Sequence, residues 1–191
     1  MKKILNELKQ KVVNSVIKKI KQNDLSLYKQ KSKYAAVLLC ERSLTTCLGL
    51  TFQDIAEKCS TKLKVENTDK KIKTLGIDLR IFDGKTIYEG QLKTEANTQT
   101  GTYKNDGINK LLQTTNSHNT IPFFATALGK SHDYISDGIR YIGGEAFWNW
   151  IGVSYMDLVK NYADLIQECE DEVLNKTNNE FSKNQKIGLF F

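Results

Sequence analysis

Four side chains of this chain could together carry out a metal-assisted hydrolysis. They are Asp78, Glu89, Gln91 and Lys93. Successive side chains of a β-strand point to opposite faces, so the last three share one face if their segment is a strand. Magnesium takes oxygen ligands, usually one or two carboxylates together with water and phosphate oxygens. A lysine beside such ligands could activate water or stabilise the charge that develops on a phosphate.

A predicted β-hairpin would bring these side chains together. Two runs that alternate apolar and polar residues flank Asp83-Gly84, and Asp-Gly is a strong signal for a two-residue turn. A loop at these two positions places Asp78 opposite Glu89 and diagonal to Gln91, within reach of both. Either side chain could complete a site with Asp78. The alternative is a half-exposed strand whose polar residues are only solvated.

The pattern Asp78…Gln91-Leu92-Lys93 resembles the signature of the PD-(D/E)xK nuclease superfamily, in the form that has Gln in place of the second acid. The resemblance implies an α/β fold with a restriction-endonuclease-like mixed β-sheet core of order αβββαβ, flanked by helices. It also implies Mg²⁺-dependent hydrolysis of DNA that leaves 5′-phosphates. The chain departs from the signature at Ile77, which replaces the leading Pro, and at Gln91. The second departure leaves open the number of metal ions and the choice between Glu89 and Gln91.

Two further parts of the chain fit this resemblance. Glu41 lies in a predicted helix before the hairpin and resembles the auxiliary acid of many such nucleases, although a surface acid is the alternative. A polar segment follows Lys93, and its side chains could meet base edges or phosphates of DNA. The candidate DNA-binding residues in it are Asn97, Gln99, Thr100, Tyr103, Lys104 and Asn105. The same composition is also ordinary for a loop.

The charge of the chain favours a polyanionic partner, and double-stranded DNA is the expected one. The formal net charge is +6, and residues 1–33 hold ten lysines against two acids. Basic segments attract nucleic acid, although lysine-rich helices are often simply solvated. No apolar run is long enough to span a membrane and no signal peptide is recognisable, so we expect no membrane partner and a cytoplasmic location.

The predicted organisation is one nuclease domain over residues 1–191. Its parts are a basic helical segment (1–33), a catalytic core (34–128) and a C-terminal helical region (129–191). Residues 34–60 are predicted as two helices broken near Gly49, with Thr51 as the N-cap of the second. Strands are predicted at 62–66, 121–128 and 139–142, and a last helix at 155–174. The four cysteines form no C-x-x-C pair and are expected to be reduced. His118 and His132 have no metal-ligand partner at the usual spacing and predict no metal site.

Taken together, the sequence predicts a Mg²⁺-dependent type II restriction endonuclease. A homodimer is expected, because two symmetric sites are the simplest way for a small domain to cut both strands. One alternative is a repair, nicking or junction nuclease of the same superfamily. The other is a DNA-binding protein that keeps the fold without the activity.

Overall fold

The computed structural model describes residues 1–22, 33–68, 76–95, 109, 111–113 and 119–182, with side chains at all but 20–22, 33–40 and 177–182 of these. It contains two compact units. The first comprises Met1–Thr51 together with Val159–Phe191, and the second comprises Phe52–Leu158. No helix among the described residues is long and apolar enough to cross a membrane.

The first unit is helical. Helix α1 (Lys2–Gln22) is amphipathic, as predicted: its apolar side is buried, whereas Lys2, Lys3, Lys11 and Lys18 are exposed. The buried residues of α1 are Leu5, Leu8, Val12, Val13 and Val16. The last helix, α4 (Tyr155–Ser182), is longer than the predicted 155–174. The Lys9 ammonium of α1 lies 3.1 Å from the Glu168 carboxylate of α4.

Helix α2 (Lys33–Cys59) is continuous, so the predicted break near Gly49 is wrong. Thr51 is not an N-cap, because its hydroxyl donates to the Leu48 carbonyl 2.6 Å away within the helix. A mid-helix glycine costs about 1 kcal/mol. Buried residues on both sides of Gly49, including Leu48 and Phe52, provide packing that outweighs this cost.

The second unit contains a six-stranded mixed sheet of order β1-β2-β3-β4-β6-β5. β1–β2, β2–β3 and β5–β6 are antiparallel, whereas β3–β4 and β4–β6 are parallel. The strands are β1 (Lys64–Asn67), β2 (Leu79–Asp83), β3 (Thr86–Lys93), β4 (Thr120–Thr126), β5 (His132–Ser136) and β6 (Ile139–Gly143). Residues 109 and 111–113 are helical and lie between β3 and β4 in the chain. The α/β class is confirmed.

One face of the sheet is apolar and forms the core of this unit. Its buried residues include Leu79, Ile81, Leu92, Phe123, Ala125 and Ile142. Helix α3 (Glu145–Ile151) contributes the fully buried Phe147 and Trp148. The Trp148 indole donates to the Ala127 carbonyl at 2.7 Å, which satisfies its only polar group. The opposite face of the sheet carries the candidate site residues of β3.

The hairpin β5–β6 was not predicted in full, because only the second strand was recognised. Ser136 pairs with Ile139, and the two residues between them, Asp137 and Gly138, have φ of 51° and 75°. Positive φ at both central positions is the pattern of a type I′ turn, for which Asp-Gly is a preferred sequence.

Candidate active site

The loop of the β2–β3 hairpin lies one residue later than predicted. Asp83 pairs with Thr86, so the two-residue loop is Gly84-Lys85. Gly84 has φ of 60°, whereas Lys85 has no positive φ. Positive φ at the first central residue alone matches a type II′ turn, which prefers glycine at that position. Moving the loop by one residue shifts every cross-strand pair along the hairpin.

Glu89 consequently faces Arg80 rather than Asp78, and the predicted register is wrong at this point. The Arg80 Nε donates to Glu89 Oε1 at 2.6 Å, and Arg80 Nη2 contacts the same oxygen. Glu89 is buried, so the guanidinium compensates a carboxylate that would otherwise be costly to desolvate. The sequence reasoning did not consider Arg80, although it follows Asp78 by the two-residue spacing of one strand face.

Asp78 lies where the β2–β3 ladder ends and contacts β3 on both sides of Gln91. Its backbone N–H donates to the Gly90 carbonyl at 2.8 Å. Its Oδ2 accepts the Leu92 N–H at 3.1 Å. The Asp78 carboxylate thus accepts a hydrogen bond from the backbone of β3, which holds it beside that strand. Oδ1 accepts no hydrogen bond from the residues that the structure describes.

Lys93 also lies close to Asp78. Its ammonium lies 3.6 Å from Asp78 Oδ2. The Lys93 side chain is 30% exposed and that of Asp78 is 14% exposed, so both groups remain accessible to a ligand at the surface. The structure therefore brings together the predicted acid and the predicted lysine.

Gln91 has a buried amide oxygen that no hydrogen bond satisfies within the described part of the chain. Only 6% of the residue is exposed. An unsatisfied buried acceptor costs about 1–3 kcal/mol and is rare in folded proteins. Gln91 lies between Gly90 and Leu92, which are the two β3 residues that bond Asp78. An oxygen atom without a donor at this place is suited to a cation.

These residues fit a single hard cation. Asp78 offers a carboxylate oxygen and Gln91 an amide oxygen, which are ligand types that magnesium accepts when water and phosphate oxygens fill its other positions. Among the described residues, no three of His, Cys, Asp and Glu are grouped so that they could hold a metal ion. The candidate ligands, Asp78 and Gln91, thus provide one carboxylate, whereas a site with two acids would provide two.

The other predicted residues belong to the first unit or lie outside the described residues. Glu41 is exposed on α2, within the first unit, whereas the hairpin belongs to the second. The proposed DNA-reading segment lies outside the described residues. Its members are Asn97, Gln99, Thr100, Tyr103, Lys104 and Asn105. His118 is also outside them.

Two rows of cross-strand neighbours extend from the site over the same face of the sheet. Gln91 pairs with Phe124, which pairs with Tyr141, and Tyr141 pairs with Tyr134 on β5. We call these four residues, of which all but Gln91 are aromatic, the aromatic row. Burial raises the pKa of the Tyr141 hydroxyl, with smaller contributions from Tyr134 and Asp137.

The second row is polar and begins at Lys93. Lys93 pairs with Thr126, Thr126 with Gly143, and Gly143 with His132. We call these four residues the polar row. His132 Nδ1 donates to the Lys130 carbonyl at 3.0 Å, which leaves Nε2 for another partner.

Comparison with known proteins adds no family to this description. No protein-family model matches the chain, and no curated protein matches it. The interpretation of the site therefore depends on its own geometry.

Proposed function

We propose that the chain is a Mg²⁺-dependent endonuclease that hydrolyses phosphodiester bonds of DNA. The observation that carries this proposal is the buried Gln91 oxygen, which has no donor among the described residues and lies beside Asp78 on β3, while Asp78 itself contacts Lys93. A site of this kind would use Asp78 and Gln91 as protein ligands. A bound magnesium ion supplies Lewis-acid polarisation of the phosphate and lowers the pKa of a coordinated water.

The roles of the chain's own residues follow from their contacts. The Leu92 N–H fixes the Asp78 carboxylate beside β3 through Oδ2. The Lys93 ammonium is near enough to Asp78 to share a ligand with it, and it can orient an attacking water or neutralise a phosphate oxygen. In this arrangement Glu89 holds the Arg80 guanidinium and does not bind the metal ion, because its carboxylate is already paired with Arg80.

The element order supports the finer proposal of a type II restriction endonuclease. A helix precedes three antiparallel strands, then residues 111–113 are helical and β4 returns parallel to β3. This order supports the proposal of the αβββαβ core that the signature implies. Double-stranded DNA as substrate, a homodimer and a cytoplasmic location belong to the same proposal. The site geometry is equally compatible with a nuclease that acts at nicks or junctions, and the aromatic row favours that second candidate.

The direct test is cleavage of supercoiled plasmid by the purified protein with Mg²⁺ or with EDTA. We expect linear or nicked product only with Mg²⁺, and loss of at least about 100-fold in rate for Lys93→Ala and for Asp78→Asn. Lys85→Ala is the matched control, because Lys85 is an exposed lysine of the same hairpin. Linear product without a nicked intermediate favours the restriction enzyme, and accumulation of nicked circles favours the second candidate.

The proposal fails if the wild-type protein leaves every DNA intact in Mg²⁺. It also fails if Lys93→Ala cuts as fast as the wild type. Uncut DNA that is nevertheless bound and retarded in a gel would instead indicate the DNA-binding protein without activity.

A further inference from the structure

The aromatic row ends in a tyrosine ring at the edge of the sheet. The rings of Tyr134 and Tyr141 are stacked, with centroids 5.2 Å apart and planes inclined by 14°. Tyr134 is 54% exposed, and it lies on β5, the last strand of the sheet. Tyr141 therefore covers one face of the Tyr134 ring, the His132 ring lies 5.9 Å away, and the remainder of Tyr134 is exposed. A flat aromatic ligand could extend this stack by one ring.

The polar row runs beside the aromatic row and offers groups that bind phosphate. A Cβ at Gly143 would lie 2.1 Å from Thr126 Oγ1 and 2.3 Å from His132 Cε1, so the absence of a side chain lets these two groups approach each other. His132 retains Nε2 for a ligand, and Lys93 stands at the far end of the row. Thr126 is itself buried, so His132 and Lys93 are the groups of this row that can reach phosphate oxygens.

The two rows have the spacing of a nucleotide chain. Residues two apart on one strand are separated by about 7 Å, so a phosphate on the polar row could carry its base onto the aromatic row. Tyr134 lies three strand spacings from Gln91, or about 14 Å, which a few nucleotides would span. The positive charge of Lys93, Lys130 and the chain as a whole suits a phosphate backbone.

We propose that Tyr134 stacks an unpaired nucleobase of the substrate strand, a few nucleotides from the scissile phosphate, and that His132 contacts an adjoining phosphate. The inference depends on the proposed nuclease function for its cleavage site. In a duplex both faces of a base are covered by its neighbours. A base that stacks on Tyr134 must therefore be at an end, in an overhang or in a single-stranded segment. The substrate class is then DNA with an unpaired strand next to the cut, which is the substrate of the nick or junction nuclease and not of the restriction enzyme.

Binding without catalysis tests the inference. Affinity would be measured by fluorescence anisotropy in EDTA, with a labelled thymidine oligomer and with a blunt duplex of equal length. We expect Tyr134→Leu to weaken single-strand binding roughly tenfold and Tyr134→Phe to change it by less than about threefold, because leucine keeps apolar bulk but has no aromatic face. Ile135→Ala is the matched control, since Ile135 is an exposed apolar residue of the same strand on the opposite face.

A second, position-specific measurement uses only the wild-type protein, so a folding defect in Tyr134→Leu cannot affect it. An oligomer with 5-iododeoxyuridine would be photo-crosslinked to the wild-type protein and the modified peptide identified by mass spectrometry. Modification of Tyr134 supports the inference. A crosslink only at other residues overturns it, as does equal single-strand affinity of the wild type and Tyr134→Leu.

The two proposals can fail separately. A wild-type protein that binds the oligomer through Tyr134 but cuts no DNA in Mg²⁺ contradicts the nuclease proposal and supports the base-stacking surface. A protein that cuts duplex plasmid at a Lys93-dependent rate, with no effect of Tyr134→Leu on single-strand binding, contradicts only the stacking surface. A matched uridine oligomer shows whether the surface distinguishes DNA from RNA.

Discussion

At the scale of single residues, Gln91 combines a structural cost with a proposed role. Its amide oxygen is buried without a donor in the described part of the chain, which a purely structural position would not be expected to retain. Proteins keep such groups where function requires them and lose stability in return. Replacement of this one side chain should therefore separate stability from activity.

We predict that Gln91→Met leaves the free energy of unfolding unchanged or raises it by about 1 kcal/mol, while plasmid cleavage is lost. Methionine nearly conserves the volume and removes the unsatisfied oxygen. Urea denaturation and the cleavage assay measure the two effects. A Gln91→Met protein that is clearly less stable and still cuts DNA would contradict both parts.

For Glu89 we predict a structural effect. Glu89→Gln leaves the Arg80 guanidinium with a neutral partner, and the loss should be about 1–3 kcal/mol of unfolding free energy. The Mg²⁺ concentration for half-maximal cleavage should stay the same, because Glu89 is bound to Arg80 rather than to the proposed metal. An increase of more than about tenfold in that concentration would instead make Glu89 a ligand.

At the scale of elements, the close contact of β3 and β4 depends on Gly90. A Cβ at this position would lie 1.9 Å from the Phe123 carbonyl oxygen, so any side chain must push the two strands apart. We predict that Gly90→Ala lowers the unfolding free energy by at least about 3 kcal/mol, measured by thermal and urea denaturation. Gly84→Asn in the hairpin loop is the control: open space surrounds it, and only its positive φ adds a cost of about 1–2 kcal/mol. Equal losses in both variants would refute the steric explanation.

A second prediction at this scale concerns Cys169 in α4. The residue is fully buried, and this burial raises the pKa of its thiol to about 11. The unfolded thiol, with a pKa near 8.5, loses its proton first, so stability should fall as the pH rises above about 8.5 towards the folded pKa. Cys169→Ala should flatten this dependence. Native Cys169 should also resist a thiol reagent at pH 8 in peptide mapping, and rapid labelling would contradict its burial.

The sequence predicted most elements correctly and the register of the central hairpin incorrectly, for a local reason. Asp83-Gly84 was read as the whole loop, but Gly84 takes the first central position and Lys85 the second. Turn composition locates a hairpin to within a residue, whereas the partner of a given side chain depends on that residue. The sequence therefore predicted Asp78 and Lys93 as neighbours, but placed Glu89 opposite Asp78 instead of Arg80. Burial of the Gln91 oxygen depends on tertiary packing and has no local signal.

Two other differences have similar causes. The break in α2 was predicted from glycine propensity, which packing on either side of Gly49 overrides. Strand β5, which was not predicted, lies before Asp137-Gly138, a turn signal as good as Asp83-Gly84 in the β2–β3 hairpin. Its exposed residues, among them Tyr134 and Ile135, lack the alternation that makes a half-buried strand recognisable.

At the scale of the whole molecule, the net charge of +6 is concentrated in the first helix. Lys2, Lys3 and Lys18 are exposed on α1. We predict that replacing all three by Gln weakens DNA binding and lowers the slope of log affinity against log salt by up to about three, because each lost phosphate contact removes about one released counterion. Lys160→Gln on α4 is the control for a change in net charge. An unchanged slope would mean that the lysine face of α1 is only solvated.

The pairing of β3 with β4 has a consequence for the order in which the protein folds. Asp78, Gln91 and Lys93 belong to one hairpin, whose contacts join residues that are near in the chain. The pairs between β3 and β4 instead close a long segment from Lys93 to Thr120, and the entropy of that closure must be overcome before Tyr134 can join the same sheet. The β2–β3 hairpin is thus a local part of the fold, which can form early. Tyr134 and Tyr141 belong to a second local hairpin, β5–β6, which can also form early. The placement of this pair on the same sheet as Gln91 and Lys93 requires the parallel pairing of β3, β4 and β6.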